Sequence, residues 1–438
     1  MDFIIIVFVA LLGLYMAWNI GANDVANSMA DAVGSGAISV KQAVIYAGIC
    51  EFAGAVLVGA HVTDTVRKGI IDPQVVANLP GLLPGEASAI FVIGMTAALL
   101  SAAFWLHFST HMGLPVSTTH SIVGSVAGFG IVAAGWNVVN WGKMGQIVAS
   151  WFISPLAGGL AAYLLFNYIS KAILGREKPA EAAIRHIPFI VFIAAAVVTL
   201  ATIYKGLKHV IKGIDWLTDD TALVIALTLS LACAIVSRIL VKRRLQGMEN
   251  LSIAKQLEQV EMVFTPVVVI TSCSVAFAHG ANDVANSVGP LAAVVHIMST
   301  GNVEMQVGVP LWIMTLGGAG IVLGLATYGY RVMETVGTKI TEITPSRGVA
   351  ADIAATATVL ICTRLKLPVS TTHTLVGAIL GIGLARGLGG VNRSVVKKIF
   401  GSWLFTVPAA AGVSMLLFVA GHHFFFDTLR QVLMAKAG

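Results

Sequence analysis

The chain has 438 residues, of which 57% are hydrophobic and only 11% charged, against about 25% charged in a soluble globular domain. With a mean hydropathy of +0.87, this composition excludes an ordinary soluble enzyme and points to a polytopic protein whose main solvent is the lipid bilayer. The net charge of +6 is spread among loops, which reads as a positive-inside bias, and no nucleic-acid partner is expected.

In chain order, apolar runs near the roughly 20 residues needed to span a bilayer occupy 3–20, 43–62, 87–108, 147–169, 187–203, 221–241, 263–277, 307–328 and 399–419. Shorter runs at 121–134 and 374–385 are expected to be partial crossings. The first run lacks a basic leader and continues into a polar motif, so it is read as a membrane helix and not a cleaved signal. Cys50, Cys233, Cys273 and Cys362 are far apart, without CxxC spacing, and are expected to be small buried hydrophobes.

Two polar blocks punctuate these runs, and each occurs twice. GANDVANS stands at 21–28 and 280–287, and LPVSTTH at 114–120 and 367–373. The offsets, 259 and 253 residues, keep the blocks in the same order, so the chain has two homologous halves. Internal repetition with interrupted apolar segments is the pattern of a secondary transporter. The expected division is a first repeat over 1–170, a central insert over 171–263 and a second repeat over 264–438. The insert holds two crossings flanked by basic loops, Lys171, Arg176, Lys178 and Arg185 before and Lys242, Arg243, Arg244 and Lys255 after. Both loops are expected on the cytoplasmic side. Five crossings per repeat then make the repeats inverted. The segment 245–262 is expected to be an amphipathic cytoplasmic or interfacial helix.

The blocks themselves carry the chemistry. Asn23, Asp24 and Asn27, and likewise Asn282, Asp283 and Asn286, share one helix face at spacings of three and four. Gly21 and Gly280 allow a helix break or a close backbone approach. Carboxylate, amide and carbonyl oxygens beside a break suit a hard cation such as Na⁺. In LPVSTTH, Pro115 and Pro368 stop a helix from running through, and Ser117 or Thr118 caps a new one. Its free amides, with the hydroxyls of Ser117, Thr118 and Thr119 and of Ser370, Thr371 and Thr372, suit an anion.

The remaining polar residues divide between function and structure. Glu51 lies in an apolar run, with Gly317 opposite it in the second half by alignment, and an intramembrane carboxylate is a functional candidate. Asp31 has Pro290 opposite. His120 and His373 are read as structural, held by backbone carbonyls. Trp151 and Trp403 match across the repeats and are read as interface anchors.

Neither block contains Lys or Arg. Repulsion between unit charges at 4 Å is about 4 kcal/mol at an effective dielectric near 20, and a helix N-terminus returns only about 0.3–2 kcal/mol. An anion can therefore enter beside Asp24 and Asp283 only with cations or with protonated carboxylates, which describes an anion–cation symporter. No GxSxG or HExxH motif supports an enzyme.

GANDVANS at 21–28 and 280–287, with PVSTTH at 115–120 and 368–373, resembles the signature of the inorganic phosphate transporter (PiT) family of sodium/phosphate symporters, over essentially the whole chain. The resemblance implies uptake of inorganic phosphate coupled to Na⁺ or H⁺ and an all-α fold of two inverted repeats with broken or re-entrant helices. It further implies about twelve membrane segments, both termini outside the cytoplasmic membrane, a homodimer and elevator-like alternating access. Carried over, Asp24 and Asp283 with Asn23, Asn27, Asn282 and Asn286 are cation and substrate ligands. The six Ser and Thr residues form the phosphate cradle, and Glu51 is the family's intramembrane glutamate, placed among the sodium ligands. The short insert departs from relatives that carry a large soluble domain there. The expectation is a Na⁺-driven phosphate importer with no organic cofactor, because Asn/Asp/Ser cages suit a metal cation better than a proton relay. Proton-coupled phosphate, metal–phosphate and sulfate transport on the same scaffold are the alternatives. Ionised Asp24 and Asp283 can accept a proton from phosphate but not from sulfate, which favours phosphate.

Overall fold

In hydrocarbon every backbone N–H and C=O needs a partner within the chain, so apolar runs become helices. A computed structural model, which describes residues 2–59, 69–71, 75–76, 82–83, 85–204, 218–304, 307–365 and 369–437, bears this out. The main helices are α1 (Asp2–Ile20), α2 (Val40–Val58), α3 (Glu86–His111), α4 (Thr118–Ala134), α5 (Trp141–Ile169), α6 (Pro179–Thr202) and α7 (Asp219–Leu245). They continue with α8 (Ile253–Asp283), α9 (Ala285–Thr300), α10 (Leu311–Tyr328), α11 (Pro345–Arg364), α12 (Thr371–Ala385) and α13 (Arg393–Ala437). Among the described residues the extended backbone pairing is a single bridge, Ile71 with Val139. Among the described residues nine helical stretches are long and apolar enough to cross a membrane, and α4 and α12 are shorter apolar helices. The chain is an all-α polytopic membrane protein.

Every apolar run lies largely within a helix, and most of the helices are longer than the run; the run at 307–328 is helical only from Leu311. The expected end of the second run, 60–62, lies outside the described residues. Two expectations change. The segment 245–262 is not one helix: α7 ends at Leu245, Gly247 turns the chain at φ +86°, and α8 starts at Ile253. Hydrophobic alternation is the same on both sides of such a corner, so periodicity could not see it. Since α8 runs on to Asp283, the expected boundary at 263/264 falls inside a helix. The second change is α11, which no apolar run announced. It is rich in Ala and Thr and carries Asp352, yet most of its residues are buried, because it packs inside the bundle where small side chains admit neighbouring helices.

Contacts at the helix ends sort into two opposite layers. In one, Arg430 pairs with Glu86 at 3.0 Å, Lys436 with Asp2, and Ser88 donates to the Gly301 carbonyl at 2.6 Å. In the other, Arg386 pairs with Glu342 at 2.7 Å, Arg331 donates to the His111 carbonyl at 2.9 Å, and Glu261 accepts from the Ser346 amide at 2.8 Å. Ala180 at the start of α6 donates to Gln256 of α8 at 3.2 Å, so the basic loops flanking α6 and α7 lie in this second layer.

The two halves interlock by exchange. α1 packs on α10 and α8 on α2; α4 packs on α13 and α12 on α5. Glycines at the crossings make this fit. A Cβ on Gly21 would stand 1.8 Å from the Ile321 carbonyl oxygen, and one on Gly280 would stand 2.3 Å from that of Glu51. Gly21 and Gly280 therefore serve close backbone approach. Overpacking of a core typically costs about 1–3 kcal/mol, and contacts this short lie at or beyond the upper end. Gly21→Ala and Gly280→Ala should each lower thermal stability in detergent strongly. Gly145→Ala on α5, where a Cβ meets nothing within 4 Å, should not. Equal melting temperatures for the three variants would refute the close-packing role.

Candidate functional site

Both GANDVANS blocks sit where a helix is interrupted. In the first, α1 passes into a π-helical turn, Gly21–Val25, before the short helices Ala26–Ser28 and Ala30–Gly34. In the second, the break falls at Val284 between α8 and α9. The Ser28 and Ser287 hydroxyls donate to the carbonyls of Val25 and Val284 at 2.7 and 3.0 Å. π-turns inside α-helices occur often at functional sites. Both LPVSTTH blocks start a helix inside the bundle, as the motif predicts. Ser117 accepts from the His120 amide at 3.3 Å and caps α4; Ser370 accepts from the His373 amide at 3.2 Å and caps α12. Leu367 and Pro368 lie outside the described residues.

The four blocks meet, and their hydrogen bonds cross between halves. Asp24 Oδ2 accepts from the Thr118 hydroxyl at 2.7 Å and its amide at 3.3 Å, while Oδ1 accepts from the Thr372 hydroxyl. Asp283 Oδ1 accepts from Thr119 and Oδ2 from Thr371, both at 3.3 Å. Asn27 reaches Asp24 and Thr372 at 3.5 and 3.4 Å; Asn286 reaches Asp283 at 3.3 Å and both Thr118 and Thr119 at 3.2 Å. Each carboxylate thus takes one hydroxyl from each LPVSTTH block. Both are 3% exposed, so the centre is occluded. The adjoining cavity, between α8 and α11 beside His279 and Thr371, is only about 30 Å³, room for a single water.

Three of the expected ligands stand apart. The Asn23 amide is taken up by the loop before α4, donating to Thr110 at 2.9 Å and the Leu114 carbonyl at 3.0 Å and accepting from the Val116 amide at 3.0 Å. Asn282 is half-buried and makes no equivalent bonds among the described residues. Glu51 reaches the centre only through His279, whose Nδ1 lies 3.0 and 3.1 Å from its two oxygens. The other face of that ring places Nε2 2.9 Å from Asp283 and 3.7 Å from Asp24. Asp24, His279 and Asp283 each offer a ligand atom within 4.8 Å of one another, close enough to share a cation.

Sequence reasoning passed over His279. It directly precedes the second GANDVANS, but it is not duplicated, and duplication was the signal followed. The packing also corrects the alignment of Glu51 with Gly317. Gly21 abuts the Ile321 carbonyl as Gly280 abuts that of Glu51, and Gly324 abuts the Trp18 carbonyl as Gly54 abuts that of Phe277. The residue equivalent to Glu51 is therefore Ile321, and that equivalent to His279 is Ile20. An ionisable pair in one position is an isoleucine pair in the other.

Among the described residues His120 and His373 find no backbone carbonyl for their rings. Their rings meet edge to face at 4.8 Å, with His373 stacked on Trp403 at 3.7 Å and His120 against Trp151 at 5.5 Å. Trp403 is buried, not an interfacial anchor, and its indole N–H donates to the Pro115 carbonyl at 2.8 Å. These aromatic rings back the first turns of α4 and α12, and Trp403 also ties down the first loop.

Comparison with known proteins gives the family. A model of the phosphate transporter family matches residues 20–414. A protein of Pyrococcus abyssi named as a phosphate permease is 47% identical over 93% of this chain and 96% of its own. The inorganic phosphate transporter 2-1 of Arabidopsis thaliana, a chloroplastic protein, is 38% identical over 93% of this chain and 70% of its own. A solved structure described as the sodium-dependent phosphate transporter superposes with a TM-score of 0.82 at 41% identity, covering 96% of this chain and 99% of that one. The chain belongs to the phosphate transporter family, whose members are membrane permeases for phosphate and not enzymes.

Proposed function

We propose that the protein imports inorganic phosphate together with Na⁺ across the cytoplasmic membrane, by elevator-like alternating access of two inverted repeats. The observation that carries the coupling is the crossed network: the hydroxyls that suit a phosphate cradle donate to Asp24 and Asp283. Cations bound to those carboxylates would take over the compensation of their charge and free the hydroxyls for the anion. Phosphate and Na⁺ then enter and leave together. The sodium-dependent relative supports Na⁺ as the partner. For the topology, α1 starts in the layer that holds Asp2 and Glu86, whereas α8 starts in the layer that holds Glu261 and Glu342. Inverted repeats with both termini outside fit these positions, as do cytoplasmic basic loops.

A second reading, co-transport of a divalent metal with phosphate, is favoured by the imidazole of His279 between two carboxylates, since nitrogen ligands suit transition metals. Phosphate uptake into proteoliposomes under separately imposed Na⁺ and H⁺ gradients, with and without divalent metal, separates the readings. Uptake should follow the Na⁺ gradient alone, and Asp24→Asn and Asp283→Asn should each abolish it while leaving expression intact. Uptake driven by H⁺ alone, or Na⁺-driven uptake retained in either variant, would overturn the assignment.

The cradle makes its own prediction. Thr118→Val and Thr371→Val each remove one hydroxyl with little change in shape. A hydrogen bond to a charged group is worth about 1.5–3 kcal/mol, so phosphate affinity at saturating Na⁺ should fall roughly 10- to 150-fold in both. Equilibrium binding to purified protein measures this, and unchanged affinity in both variants would place the anion elsewhere. Orientation is tested by cysteines introduced in a cysteine-free background. In intact cells, Lys178→Cys and Arg244→Cys should be shielded from an impermeant thiol reagent and Asp220→Cys should react; the reverse pattern would invert the topology.

A further inference from the structure

A groove of about 360 Å³ opens outward between α1, α3 and α10. Leu11 and Leu323 form its exposed rims, and Trp18 and His107 close one end. Along α1 the distance from Leu11 to Trp18 is about 10 Å at helical rise. The closed end is a stack of rings. Trp18 stacks on His107 at 5.5 Å and on Tyr328 at 5.6 Å, and His107 on Tyr328 at 5.7 Å. Tyr328 in turn carries Arg331, whose guanidinium carbon stands 5.0 Å from the ring centroid. Arg331 Nη1 donates to the His111 carbonyl at 2.9 Å, and Nε to the Tyr330 hydroxyl at 3.3 Å. Among the described residues Nη2 has no partner, and no carboxylate pairs with this arginine.

Interfacial aromatic rings and a basic residue near a helix end are common at a membrane surface and need no groove. Here the rings stack on one another and wall off a concavity that three helices leave open. An aliphatic slot ending at a cation with a spare donor matches one amphipathic shape, an acyl chain joined to an anionic phosphate. The guanidinium fork suits phosphate oxygens, and basic pockets between membrane helices hold the headgroups of acidic lipids. The arrangement is not part of the repeat. The motif offsets, with Ile321 opposite Glu51, place Ser274, Phe277, Leu360 and Val58 opposite Tyr15, Trp18, His107 and Tyr328. With the repeats inverted, that ring-poor counterpart stands at the other face of the membrane. The stack therefore occupies only the face assigned to the cytoplasm, where acidic lipids give the leaflet a negative surface.

We infer that this groove binds an anionic phospholipid of the cytoplasmic leaflet, with an acyl chain between Leu11 and Leu323 and the phosphate at Arg331. The choice of leaflet rests on the orientation proposed above; the binding does not. The headgroup adjoins the transport machinery, because Arg331 holds the His111 carbonyl and the neighbouring Thr110 accepts from Asn23 at 2.9 Å. The test is lipid retention by purified full-length protein, counted by native mass spectrometry after exposure to equal amounts of phosphatidylglycerol and phosphatidylcholine with the same chains. Wild type should retain one phosphatidylglycerol per chain in preference to phosphatidylcholine. Arg331→Gln should weaken phosphatidylglycerol roughly 5-fold and leave phosphatidylcholine unchanged, and Arg331→Lys should keep most of the preference. Leu11→Trp, a change on an exposed rim that leaves the core intact, should fill the groove and lower retention of both lipids. Equal retention of the two lipids by wild type, or phosphatidylglycerol retention unchanged in either Arg331→Gln or Leu11→Trp, would refute the site. Glycerophosphoglycerol, the headgroup without chains, should not bind; binding as tight as the lipid's would mark a site for free anions and overturn the lipid assignment. A wild type that retains no lipid, and an oligomer that falls apart in Leu11→Trp, would show that a second copy of the chain covers the groove and would overturn it equally.

Discussion

The hydrogen bonds that Asp24 and Asp283 receive from both LPVSTTH blocks constrain the rest of the molecule. A carboxylate within a membrane bundle must be compensated, and among the described residues no lysine or arginine forms a salt bridge with Asp24. Hydroxyls and helix amides compensate it instead, and neither half supplies enough alone. To deliver them, α4 and α12 must begin inside the bundle, which requires a loop that dips inward with its backbone groups satisfied. Asn23 and Trp403 meet that need by bonding to Leu114, Val116 and Pro115. The carboxylates must be presented in turn from interrupted helices, which accounts for the π-turn at Gly21–Val25 and the break at Val284.

Around this matched centre, the halves have diverged in polarity. Glu51 and His279 occupy the positions of Ile321 and Ile20, and Asp31 and Asp352 those of Pro290 and Leu99. The divergence is possible because the fold depends on close approach at Gly21, Gly54, Gly280 and Gly324, which is indifferent to the charge of the neighbouring residue. One half can therefore acquire ionisable groups while the other keeps the packing with apolar ones.

Much of this was legible in the sequence because duplication marks function and apolar length marks spans. The crossed Asp and Thr residues, the Ser117 and Ser370 caps and nearly all crossings were visible in that way. What escaped notice lacked those marks. His279 is not duplicated. Helix α11 is polar and small by composition, and its burial depends on neighbours that a hydropathy window does not contain. The position opposite Glu51 was misjudged because the segments between the blocks differ in length, and only contact between backbones fixes their register. Asn23 carries the same residue type as a ligand would, yet its amide serves the loop; amide chemistry suits both roles equally.

The exchange of partners between halves bears on how the chain is made. Helix α1 packs on α10, whose last residue is about 300 positions further on. At synthesis rates of 5–20 residues per second, the gap lasts on the order of 15–60 s. Throughout that interval Asp24 and Asn27 stand beyond a newly inserted helix with their second-half partner Thr372 still unmade. Hydrocarbon would penalise each of those groups. The nascent helix must therefore be sheltered, at the insertion machinery or among its own first-half neighbours, until Thr372 arrives. Biogenesis of this transporter is thereby made a late, whole-chain event.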